Sequence, residues 1–198
     1  MSTPTTPHIT TAVSHDSLHI PLIDFSTFLS PTTTPETKLT TARAILTGFQ
    51  TAGFIYLRNH GIPKPTVQKT FAQSAAFFAR PLSQKDALAW TTPEANRGYV
   101  AQGREKVTDA TDPGEIEQLR AAEGEDLKES LEIGREGEEG HPNSWPAVEG
   151  EEFRASMLEF FDLCKELHVN VMRAIAVGLG IEEGWFDSYC DKGDNTLR

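Results

Sequence analysis

One long amphipathic segment constrains this chain more than any other feature. Between Glu149 and Val177, residues Phe153, Met157, Phe160, Phe161, Cys164, His168, Val171 and Ile175 recur at spacings of 4, 3, 1, 3, 4, 3 and 4. That spacing places them on one face of an α-helix. At ~1.5 Å per residue the helix runs over about 40 Å, enough to form the backbone of a domain. Gly178 and Gly180 are expected to break it, and a short helix is expected over 182–190.

The elements before it are shorter. Residues 1–19 carry eight Ser/Thr and two Pro and few large apolar side chains, which predicts a disordered tail. Ile20-Pro21-Leu22-Ile23-Asp24-Phe25 reads as a strand with Pro21 near its start, where a missing N–H is tolerated. Thr34-Pro35-Glu36 has the order of a helix start: a cap, Pro at the first helical position and an acid in the first turn. Leu39, Ala42, Leu46 and Phe49 follow, and Gly53 ends the run. Phe54 to Arg58 reads as a second strand and Asn59 to Pro63 as a turn. A helix over Lys64 to Ala79 should bury Val67, Phe71, Ala75 and Phe78 and stop at Pro81. Ser83 to Asp86 resembles a capping box. Short strands are expected near Tyr99-Val100-Ala101 and Leu131-Glu132-Ile133.

Charge excludes some functions. The 198 residues hold 29 acids against 18 bases, a net charge of −11. Nucleic-acid and anionic-membrane surfaces need clustered Lys and Arg instead. Ten of the acids and three of the bases fall within 115–139, which reads as a solvated face because clustered like charges repel and stay wet. No apolar run reaches the ~18 residues of a membrane helix, and no secretory signal is visible. Two cysteines, Cys164 and Cys190, are too few for a disulfide framework, so a reduced, cytoplasmic setting is expected.

The residues that carry chemistry are sparse. His8, His15 and His19 fall in or beside the tail. His60 lies in a turn, where it can bond local backbone; His141 should meet solvent; His168 should be buried and hydrogen-bonded. There is no His-Glu-x-x-His, Cys-x-x-Cys, His-x-Asp or His-x-Glu, and no phosphate loop. The most functional-looking stretch is Thr91 to Tyr99, polar and shaped by Pro93 and Gly98. Within it Arg97 could bind a carboxylate in a bidentate manner, and Tyr99 could supply a hydroxyl. An ordinary loop with a surface arginine is the competing reading.

Ile20-Pro-Leu-Ile-Asp-Phe25, Gly53-Phe-Ile-Tyr-Leu-Arg-Asn-His-Gly-Ile-Pro63, Asn96-Arg-Gly-Tyr99 and Asp126-Leu-Lys-Glu-Ser130 occur in an order that resembles the N-terminal region of non-haem iron, 2-oxoglutarate-dependent dioxygenases of the isopenicillin N synthase-like group. The resemblance implies a double-stranded β-helix, or jelly roll, closed over iron. The N-terminal region supplies outer helices, including the long one, and a strand or two. It also implies a substrate-pocket role for the Asn96–Tyr99 loop. Family chemistry needs two His and one carboxylate on iron, and an Arg-x-Ser arginine for 2-oxoglutarate. None of these ligands transfers onto this chain, and residues 191–198 look like the approach to the first barrel strand.

The expectation is therefore an α+β chain: a tail over 1–19, then a helix-rich dioxygenase N-terminal domain over 20–198, truncated before a jelly-roll barrel core. Alone it should be inactive, holding no metal, no cofactor and no catalytic residue, with Fe(II) and 2-oxoglutarate implied for the complete enzyme. Asn96, Arg97 and Tyr99 are the candidate substrate-binding residues. The expected partner is a small organic substrate, with neither nucleic acid nor membrane. A non-catalytic helical module that binds a protein partner is the alternative reading.

Overall fold

The computed structural model describes residues 9–15, 18–90, 96–103, 112–115, 118 and 127–198. The chain divides into two compact units: Met1–Val67 with Phe160–Gly193, and Gln68–Glu159 with Asp194–Arg198.

The first unit is built on three strands. β1 (Ile9–His15) pairs antiparallel with β2 (Leu18–Asp24), and β2 pairs parallel with β3 (Tyr56–Arg58). The expected disordered tail over 1–19 is thus corrected over 9–15 and at 18–19, while residues 1–8 and 16–17 lie outside the described residues. The Ser/Thr content that suggested disorder is largely Thr, which with Ile9 and Val13 is β-branched and favours strands. Pro21 sits inside the central strand opposite Thr11, beside a register irregularity between Thr11 and Val13. An irregular ladder tolerates the N–H that proline lacks.

A parallel strand pair needs a crossover. Here α1 (Ser26–Leu29) and α2 (Pro35–Thr51) provide it. The Thr34 cap is as expected: its side chain accepts from the Thr37 N–H at 3.3 Å, with Pro35 following. At the ends of β2 and β3, the Asp24 carboxylate accepts from Ser26 Oγ (2.6 Å), Ser26 N (3.1 Å), Arg58 Nε (3.2 Å) and Asn59 Nδ2 (2.9 Å). Burial pushes this carboxyl up, but the donors outweigh it and hold it below the usual range. His60 does bond local backbone, its Nδ1 accepting from Ile62 N at 3.3 Å. Ile23, Phe25, Phe28, Ala42, Ile45 and Ala174 form the core, with Phe25 and Phe28 stacked at 5.4 Å.

The second unit contains the later part of α3 (Lys64–Phe78), then α4 (Leu82–Asp86), β4 (Gly98–Val100) and β5 (Ser130–Glu132). β4 and β5 are antiparallel, with Tyr99 opposite Leu131. Ala89 bridges Tyr99 and Leu197 bridges Ile133. Its core is aromatic: Phe77 stacks on Phe153 at 5.3 Å and meets Tyr99 edge-on at 6.4 Å. Two expectations change here. α3 buries Thr70 and Phe77, while Phe71 is 74% exposed. The sequence offers two overlapping apolar phases, and the aromatic partners of Phe77 select one. α4 starts at Leu82 after Pro81 with no side-chain cap, so Ser83 caps nothing.

The long helix is present as α5 (Gly150–Leu179), and α6 (Asp187–Cys190) follows. Among the described residues no helix is long and apolar enough to cross a membrane. Phe153, Met157 and Phe161 are buried as expected, but His168 is exposed. In its later turns α5 gives Leu167, Val171 and Ala174 to the core, and His168 lies one residue beyond that stripe. Gly178 does not break the helix. A Cβ there would lie 2.9 Å from the Ala42 carbonyl oxygen, so glycine permits a close approach of α5 to α2. The helix ends at Gly180 (φ +75°), where Gly180 N donates to Val177 O and Ile181 N to Ala176 O, both at 3.1 Å. These two bonds make a Schellman cap.

Gly178→Ala separates packing from propensity. Alanine gains about 1 kcal/mol inside a helix, whereas overpacking costs about 1–3 kcal/mol. A lowered urea midpoint is expected. A raised midpoint would show that α5 and α2 are not in close contact at Gly178.

Candidate functional site

The loop singled out in the sequence enters β4. Residues 91–95 lie outside the described residues. Asn96 is exposed, with a left-handed backbone (φ 46°). At Gly98 (φ +111°) a Cβ would lie 2.4 Å from the Leu88 carbonyl oxygen. That room lets Tyr99 N donate to Leu88 O at 2.7 Å, fixing the start of β4.

Arg97 is 8% exposed, so it is no surface arginine. Its Nη2 donates to Glu138 Oε2 at 2.8 Å and its Nη1 to Asn96 O at 2.9 Å. The guanidinium lies against Gly134, where a Cβ would fall 1.8 Å from Arg97 Cζ. Tyr99 is 1% exposed, and its hydroxyl donates to Glu129 Oε2 at 2.5 Å. Lys85 Nζ reaches the same oxygen at 2.7 Å and the Phe78 carbonyl at 3.0 Å. Burial, with the Glu129 hydrogen bond and charge, pushes the Tyr99 phenol up to about 12. Burial also pushes the Glu129 carboxyl up, but bonds from Lys85 and Tyr99 and the Lys85 charge leave it below its ordinary value.

The solvated acidic face expected over 115–139 is corrected for three of its acids, Glu129, Glu132 and Glu138, while Glu136 is exposed as expected, though paired. Glu132 is 3% exposed and accepts from Ser130 Oγ at 3.0 Å and Arg198 Nε at 2.8 Å. Burial dominates there and raises its carboxyl above the ordinary value. Glu136 accepts from Asn143 Nδ2 (2.8 Å) and Arg154 Nη2 (2.7 Å). Glu129 holds Tyr99 and Lys85, and Glu138 holds Arg97. Sequence reasoning did not assign these acids a role. The available signal was the alternation Glu129-Ser130-Leu131-Glu132-Ile133, a strand that carries acids beside core residues.

Iron would need two His and one carboxylate together, and the family's 2-oxoglutarate site an Arg-x-Ser arginine, among the described residues. Among them, no group of three or more His, Cys, Asp or Glu could hold a metal ion. Arg154-Ala155-Ser156 has the Arg-x-Ser spacing, but it lies on α5. Residues two apart on a helix do not face each other, and Arg154 is engaged by Glu136.

Glu129 makes an acid-dependent contribution to stability. Its folded pKa lies below its ordinary value. The contribution is therefore present above the unfolded pKa and lost as pH falls through the folded one. Glu129→Gln should lower the urea midpoint at pH ~7, with the difference from the parent closing towards pH ~3. A difference that does not change with pH would contradict a charged, paired Glu129.

Comparison with known proteins follows the same lines. Residues 20–153 match the family described as the N-terminal region of non-haem dioxygenase in morphine synthesis. The chain is 33% identical over 159 residues to a 2-oxoglutarate-Fe(II) type oxidoreductase of Metarhizium rileyi, covering 79% of this chain and 44% of that protein. It is 36% identical over 150 residues to a 2-oxoglutarate-dependent dioxygenase of a Dothideomycetidae species, covering 74% and 44%. A full-length Neurospora crassa protein, crystallised in complex with alpha-KG and thymine, superposes with a TM-score of 0.82 at 57% identity, over 94% of this chain and 56% of that one. The chain spans about half the length of the relatives it matches. With most of its length matched by one family model, the chain belongs to the 2-oxoglutarate/Fe(II)-dependent non-haem dioxygenases, whose N-terminal region it carries.

Proposed function

We propose that these 198 residues are the scaffold and one substrate-pocket wall of a 2-oxoglutarate/Fe(II)-dependent dioxygenase. The enzyme oxidises a small organic molecule of the size and polarity of a pyrimidine base. The observation that carries this reading is the 57% identity to the Neurospora crassa protein crystallised with alpha-KG and thymine. The wall is the Asn96–Tyr99 loop. Asn96 presents an exposed amide, Arg97 places a guanidinium, held by Glu138 and Asn96 O, in a largely desolvated position beside it, and Tyr99 anchors the loop in the aromatic core. A base such as thymine presents carbonyl acceptors and imide N–H donors. An amide and a guanidinium can match that pattern, and donors fixed away from water discriminate best. No iron ligand is assigned on this chain. The interaction-module reading has no observation in its favour.

Two measurements test the proposal. The isolated 198-residue chain should not retain stoichiometric Fe(II) and should not convert 2-oxoglutarate to succinate. Tight 1:1 iron binding with turnover would overturn the scaffold role. In the native protein, thymine or a related base should stimulate succinate formation, and Arg97→Ala should raise KM about tenfold, the loss of roughly one charge-assisted hydrogen bond. Absence of stimulation by any pyrimidine base would refute the substrate class, and an unchanged KM in the variant would refute the pocket wall.

A further inference from the structure

Arg97 is held by a built seat. Its guanidinium lies over Gly134, where even a methyl group would fall on Arg97 Cζ. That glycine is itself fixed: Gly134 N donates to Asn143 Oδ1 and Asn143 Nδ2 donates to Gly134 O, each at 2.9 Å. Asn143 Nδ2 also donates to Glu136 Oε2 at 2.8 Å, and Arg154 of α5 donates to Glu136 Oε1 at 2.7 Å. A chain of polar contacts therefore runs from a long helix to the floor beneath Arg97. Glu138 closes the other side, accepting from Arg97 Nη2 at 2.8 Å with Arg135 Nη2 3.6 Å from its second oxygen. Burial of Arg97 strengthens its bond to Glu138, because a largely desolvated, charge-assisted pair is little screened, whereas the outer contacts at Glu136 and Arg135 lie nearer solvent.

We infer that Gly134 and Glu138 are positioning residues that preset the Arg97 guanidinium for substrate. This inference rests on the pocket-wall reading of the Asn96–Tyr99 loop. Gly134 supplies space that no other residue leaves, and Glu138 fixes the direction of the fork. A guanidinium free to sample other rotamers would bind the same ligand more weakly, because its ordering would fall due on binding.

The test is a double-variant cycle in the native protein, with thymine as the probe substrate. Glu138→Gln keeps the size and an acceptor but removes the charge. Glu138→Gln and Gly134→Ala should each raise KM about tenfold and leave kcat within about twofold. Combined with Arg97→Ala, Glu138→Gln should add nothing further, because both act through one group. Glu139→Gln, at an exposed neighbour, is the control and should change neither parameter. In 15N-arginine-labelled protein, slow exchange of the Arg97 guanidinium protons should be lost in Glu138→Gln. If Gly134→Ala does not fold, Glu138→Gln alone decides. If Arg97→Ala raises KM while Glu138→Gln changes neither KM nor proton exchange, the seat is overturned and the pocket wall stands. If Arg97→Ala leaves KM unchanged but Glu138→Gln abolishes slow exchange, the seat stands and the pocket wall fails.

Discussion

Both faces of β5 are buried, and the second unit is organised around that constraint. Leu131 joins the aromatic core, while Ser130 and Glu132 on the opposite face are buried too. Removing a carboxylate from water costs several kcal/mol unless it is paired and hydrogen-bonded. Residues distant in the sequence are accordingly brought to this segment: Arg198 to Glu132, Lys85 and Tyr99 to Glu129, and Arg97 to Glu138. The acids that give this chain much of its negative charge are thus the sites that fix its loops.

The same constraint relates the fold to the site. Tyr99 is held at its ring by Phe77 and at its hydroxyl by Glu129, so β4 cannot slide or rotate without breaking both. Arg97 precedes it by two residues and inherits that rigidity. Gly98 lets the chain pass close to Leu88, and Asn96 turns outward in the left-handed region. A loop anchored in this way presents donors in one arrangement, which a binding wall requires.

Much of the first unit was legible in the sequence because its signals are local. The Thr34-Pro35-Glu36 start, the strand after Leu18 and the length of α5 follow from neighbours within one or two turns. The misjudged features depend on which partners the elements meet, near or far along the chain. The phase of α3 is chosen by Phe153 and Tyr99, and the exposure of His168 by a stripe that shifts to Leu167 and Ala174. The strand over 9–15 follows from pairing with β2. The candidate loop was identifiable from its resemblance to the family, but its burial was not. That burial requires Gly134 beneath the guanidinium and Glu138 beside it. No spacing rule links Arg97 to either.

The ionisation of Glu129, just before β5, and Glu132, within it, tests this organisation most directly. A titration of the Glu side-chain carboxyl carbons by NMR would resolve Glu129 and Glu132 separately. Glu129 should titrate below the ordinary value of 4.5 and Glu132 above it. Two carboxyls titrating together at the ordinary value would mean that both are solvated, and that Glu129 does not hold Tyr99 in β4.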